Sequence, residues 1–177
     1  MWEKISRYYP PWLDVFCIAY LGFIWVYTSA RYGLMPEQIP THFGPTGAPD
    51  AWSARSFGSV YMLLIIGTLV YLSMFLINYF LIIKPKDPRK FINLPQARKD
   101  AMNDAQMEAI RRVTVQGMAW LDVTLVIMFA VIQYGMVNTA LGIQKGVGPA
   151  ALILAGVLLV EAGWLTYKTL ALSKPRA

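Results

Sequence analysis

The sequence predicts an all-α membrane protein. The expected form is an antiparallel four-helix transmembrane bundle (N-in, C-in) with an extracytoplasmic hairpin loop and a cytoplasmic amphipathic helix. Three observations lead there. Hydrophobic residues make up 56% of the 177 and charged residues only 15%, where a soluble domain carries roughly 25% charged. Four apolar runs each reach the ~20 residues that cross a ~30 Å hydrocarbon core. The cations gather on one side of those runs. Since lipid offers the backbone no hydrogen bonds, each run must be a helix.

The spans follow one another through a single membrane domain, 1–177. The first covers about Trp12–Ala30 and is a retained helix, because Arg31-Tyr32 follows it where a signal peptide would have a small-residue cleavage site. The second, about Phe57–Ile83, holds no charge. The third and fourth cover about Val115–Leu141 and Val147–Lys168. Cys17, the one cysteine, excludes an internal disulfide.

Orientation comes from the cations. Lys4 and Arg7 precede span one, eight lie between spans two and three, and Lys168, Lys174 and Arg176 close the chain. Those thirteen face only Arg31, Arg55 and Lys145, which places both termini in the cytoplasm. The net charge of +6 therefore sets topology and meets anionic lipid. A nucleic-acid interface would need basic residues on a folded face with stacking aromatics.

Two prolines in Lys84–Pro88 stop span two. A helical pattern then restarts over about 96–114. Met102, Ala105, Ala109, Ile110 and Val113 share one side, and Lys99, Asn103, Asp104, Glu108, Arg111 and Arg112 the other. Glu108 and Arg112 form an i,i+4 pair. The helix either lies on the membrane or extends span three, with Gly117 as the joint, and serves as a connector or as a docking face for a cytoplasmic partner. The short turn Gly142–Gly146 makes spans three and four antiparallel neighbours. In span four, Gly148, Ala155 and Ala162, and likewise Gly156 and Gly163, recur in register as a seam for close helix approach.

Ionisable groups inside a span are costly and suggest function. Asp14, Asn78, Asp122 and Glu161 fall at similar depth, roughly 3–10 Å inside the cytoplasmic interface at ~1.5 Å per residue. They read either as a proton- or cation-binding cluster or as structural groups. In the structural case Asp14 and Asp122 sit near helix N-termini and Glu161 pairs with Lys168 or Arg112. Gln133 and Asn138 suit interhelical hydrogen bonds.

The outer loop, 31–56, holds the only histidine and four of the 11 prolines. Ile39, Thr41 and Phe43 alternate with His42. Gly44-Pro45-Thr46-Gly47 suits a turn, and Asp50 is a candidate cap for a short helical turn. His42 could bond Asp50 and shape the hairpin, contact a partner, sense pH near an unperturbed pKa of ~6.5, or join Glu37 and Asp50 at a metal. One histidine with scattered acids is a weak metal site, so no metal or cofactor is expected. No nucleophile–base pair or phosphate-binding glycine motif appears, and no enzyme is expected.

The arrangement Leu34-Met-Pro36, Ile39-Pro40-Thr41-His42-Phe43, Gly47, Pro49-Asp50 and Trp52 before a hydrophobic span resembles a bacterial integral membrane protein family of unknown function. Its domain also occurs in the immunity protein of the sporulation-delaying-protein toxin system. The likeness covers roughly Arg31–Leu81 and implies a multi-pass protein of the bacterial cytoplasmic (inner) membrane. That immunity protein has further spans, where four are found here. The first expectation is recognition of a peptide, toxin or envelope partner through His42, Phe43, Asp50 and Trp52. An accessory subunit of a larger complex, homo- or hetero-oligomeric, is the second, and a small proton-coupled transporter the third.

Overall fold

The computed structural model describes residues 1–90 and 95–174; Arg176, counted above among the cytoplasmic cations, lies outside them. Helices α1 (Trp2–Ile5) and α2 (Trp12–Arg31) lead into a two-stranded antiparallel sheet, β1 (Gln38–Phe43) and β2 (Pro49–Ala54). Then come α3 (Phe57–Leu76), α4 (Gln96–Asp100), α5 (Asp104–Ala140) and α6 (Ala150–Leu172). Four of these helices are long and apolar enough to cross a membrane. The protein is a multi-pass membrane protein.

The helix ends follow local chemistry. Two prolines precede α2, suiting a helix start that needs no backbone donors. Ser56 caps α3 by accepting from the Ser59 amide, and the Ser59 hydroxyl accepts from the Ser56 amide in return. Beyond Leu76 this helix widens into π turns over Ile77–Ile83, closed by the Lys84 amide donating to the Tyr79 carbonyl at 2.8 Å. Asn103 and Gln106 form the same kind of reciprocal cap at the start of α5.

That second cap decides between the two placements expected for 96–114: from Asp104 the segment extends span three, and the joint expected at Gly117 does not form. Only Gln96–Asp100 stands apart, and from Asp104 onward it is one rod with span three. At 37 residues and ~1.5 Å each, α5 is roughly 55 Å long, well beyond a ~30 Å core. Gly117 is no hinge either. It is buried, and a Cβ there would lie 2.7 Å from Leu165 Cδ1 of α6. The glycine lets the two helices close on each other. Gly117→Val is expected to push the Leu165 side chain out of its packing at a cost of about 1 kcal/mol, read as a lower midpoint on unfolding from mixed micelles; an unchanged midpoint would place the crossing elsewhere.

The four spans do not form a symmetrical bundle. The long α5 packs on α6, α2 and α3, while α2 and α3 share few contacts. No residue of α6 is buried. The Gly156–Gly163 row of the expected seam meets no described residue, since Cβ atoms added at either glycine would find nothing within 4 Å. The close approach is supplied from α5 instead.

Two cores lie along α5. One gathers Ile5, Tyr9, Leu13, Cys17, Tyr71, Val115 and Val126 at the basic end, and the other Ile24, Met35, Ile39, Val60, Leu64 and Val137 at the hairpin end. Gln133 and Asn138 bond between helices as anticipated: Gln133 Nε2 donates to the Val60 carbonyl at 3.0 Å, and Asn138 Oδ1 accepts from the Tyr27 hydroxyl at 2.7 Å.

Candidate recognition surface at the hairpin end

The hairpin is held to the helix ends at three places. Ile39 is fully buried in the upper core. Arg55, just past β2, sends Nη1 to the carbonyls of Tyr32 (3.1 Å) and Met35 (2.5 Å), and its amide donates to the Glu37 carbonyl at 2.7 Å. These bonds close the base of the hairpin with a charged donor, the stronger kind. At the tip, the Gly47 amide donates to the Gly44 carbonyl at 2.8 Å, forming the expected turn with Pro45 second. Gly47 has a φ of +77°. Its carbonyl accepts from the Val147 amide at 2.9 Å, joining the tip to the α5–α6 loop.

On this frame His42 Nδ1 and Asp50 Oδ1 lie 2.5 Å apart across the two strands. The imidazole donates, since an ionised carboxylate only accepts. Both side chains stay open, 69% and 51% exposed, and Trp52 is 51% exposed. Phe43 is half-buried against the upper core. Two expectations change. The alternation breaks where the register shifts between Pro40 and His42, so Pro40 is buried and Thr41 turns outward to Ser53 at 3.1 Å. Asp50 caps no helical turn. It sits in β2, and Ser56 does the capping.

A cavity of about 290 Å³ opens beside β1. Thr41, His42 and Gly44 of the hairpin line it together with Leu63 of α3, Met136 of α5 and Ala151 of α6.

The four membrane-embedded polar groups separate into three places. Asp14 and Asp122 are brought together: both are buried, and both lie near the Tyr9 phenol. Tyr9 donates to the Asp14 carboxylate at 3.1 and 3.3 Å, and Tyr71 from α3 donates to the Asp14 carbonyl at 3.4 Å. Burial first, then the Asp14 charge, pushes the Tyr9 phenol above its ordinary pKa and keeps it a donor. Asn78 lies apart and donates to the Val115 carbonyl at 3.2 Å. Glu161 also lies apart, accepting from Thr124 Oγ1 at 3.0 Å instead of meeting Lys168 or Arg112. Asp122 and Thr124 are two residues apart on α5, which turns them roughly 200° from each other. Asp122 and Glu161 therefore face opposite sides of α5, and one four-membered cluster does not form. Among the described residues, no three His, Cys, Asp or Glu side chains come together as a metal site requires.

At the basic end a second network joins the N-terminal segment to α5. Tyr8 donates to Glu108 at 3.0 Å and accepts from Arg111 at 3.3 Å, and Arg111 Nη2 reaches the Pro85 carbonyl at 2.9 Å. Glu108 pairs with Arg111 at 3.4 Å instead of Arg112, which turns to the Arg7 carbonyl at 3.1 Å.

Residues 19–68 match a family described as a domain of unknown function (DUF1648). That segment takes in the last part of α2, the whole hairpin and the first part of α3. An uncharacterised protein of Archaeoglobus fulgidus is 40% identical over 35 residues, which is 20% of this chain and 19% of that protein. No solved structure matches the chain.

Proposed function

We propose that the protein recognises a peptide partner outside the cytoplasm through the exposed face of its hairpin, and that it does so without catalysis. The observation that carries this reading is that His42, Asp50 and Trp52 stay exposed on a hairpin fastened at its base and its tip. A surface already held in one conformation spends little of its binding energy on ordering, and tryptophan is a frequent anchor in such contacts. The excess of cations at the opposite end supports placing the hairpin outside. A peptide is favoured as partner by the likeness of this stretch to the domain found in a toxin-immunity protein.

The test uses the protein in nanodiscs of mixed phosphatidylcholine and phosphatidylglycerol, panned with a random peptide library. His42→Ala, Asp50→Ala and Trp52→Ala are each expected to weaken the selected peptides about tenfold. Peptides indifferent to all three substitutions would overturn the reading. A second reading, an accessory subunit, is favoured by α6, whose Ile153, Val160 and Tyr167 all stay more than half exposed and could pack on another membrane protein.

A further inference from the structure

The cavity beside β1 borders the exposed pair directly, since His42 belongs to its wall as well as to the bond with Asp50. Its volume of about 290 Å³ lies at the small end of ligand pockets, which run roughly 300–1,000 Å³. Leu63, Ile132, Met136 and Leu152 supply apolar lining, while Thr41, His42 and Ser59 place polar atoms in the wall.

One turn below Leu63, the ring of Phe129 lies against Gly67, so near that a Cβ there would sit 3.0 Å from the ring. Phe129 is likewise one turn below Gln133 on α5, so α3 and α5 meet below the residues they lend to the cavity. That contact limits how far the space between these two helices runs toward the basic end, where an extended acyl chain would need a channel.

We infer that the cavity is the anchor pocket for a bulky aromatic side chain of the peptide recognised at the hairpin. The inference rests on the proposed recognition role and adds to it the chemistry of the partner: a tryptophan or phenylalanine entering beside β1, with its flanking backbone near the His42–Asp50 pair. Anchors of this kind, filling a dry pocket bounded by polar groups, carry most of the energy in peptide contacts.

The experiment takes peptides selected against the nanodisc-embedded protein. They are expected to share an aromatic residue, and replacing it with alanine should weaken binding at least about tenfold. Two cavity-filling variants on different walls, Ala151→Phe and Leu63→Phe, should each produce a similar loss while His42, Asp50 and Trp52 are intact. Two variants are used so that misfolding of one does not decide the result; retained cooperative unfolding qualifies each. If both fillers bind the peptides as tightly as the parent, or if a phospholipid with a photoreactive acyl chain labels Met136 as strongly as exposed Leu72 and Val157, the pocket takes no peptide side chain. Peptides that ignore the fillers but lose affinity with Trp52→Ala leave hairpin recognition standing and overturn only the pocket. Peptides indifferent to every one of these substitutions overturn both.

Discussion

Gly47→Val is expected to free the hairpin tip and destabilise the protein by about 3 kcal/mol. Two costs combine. A residue other than glycine at φ +77° loses roughly 1–2 kcal/mol in the left-handed region, and a β-branched one suffers most. The added Cβ would also run into the Gly148 backbone, which cannot swing aside as a side chain can. Relief requires the tip to lift, and that breaks the bond from the Val147 amide to the Gly47 carbonyl. The loss should appear as a lower unfolding midpoint and as fast amide exchange at Val147. Slow exchange at that amide in the variant would mean that the tip docks by some other contact.

Arg111→Met should cost about 3 kcal/mol. This arginine is buried, 8% exposed, and holds the N-terminal segment, the end of α3 and α5 together through Tyr8, Pro85 and Glu108. A hydrogen bond from a charged donor contributes roughly 1.5–3 kcal/mol, and methionine fills the space without supplying any. Arg111→Lys should recover little, because a single ammonium cannot reproduce the spread of the guanidinium fork. Unfolding of both variants in mixed micelles checks this. A lysine variant as stable as the parent would reduce the network to a simple charge.

Much of the architecture was legible because membrane helices obey a length and composition rule that needs no tertiary information. The spans near Trp12, Phe57 and Val115 came from long apolar runs broken by at most one acid each, and the Gly44–Gly47 turn came from Pro45 and Gly47 alone. Three features were misread. The start of α5 was written in the Asn103–Gln106 cap, a recognisable local signal that was passed over in favour of the weaker Met/Ala stripe. Gly117 was read as a joint because a glycine looks the same whether it bends a helix or lets Leu165 approach. The acidic groups were grouped by depth, but depth says nothing about azimuth, and Glu161 turned out to face Thr124 while Asp122 joins Asp14 and Tyr9. Arg55 could not have been singled out, since its partners are backbone carbonyls that carry no mark in the sequence.

The Asp14–Asp122 pair bears on the transporter reading. Both are buried, and Asp122 Oδ1 has no hydrogen-bond partner among the described residues. Burial of this kind is a cost that structure alone does not reward, yet Glu161, the third acid such a relay would have used, stands on another face of α5. The hairpin is the better-ordered surface, because its His42–Asp50 pair stands on strands fastened at base and tip.

The most direct test places a photo-crosslinking amino acid at His42, Asp50 or Trp52, and as controls at Lys99 and Lys168, in a cell that makes the protein naturally. Recognition at the hairpin predicts adducts to a peptide or protein partner from the hairpin positions, competed by the panned peptides, and none competed at the controls. Competed adducts arising only from Lys99 or Lys168 would contradict it.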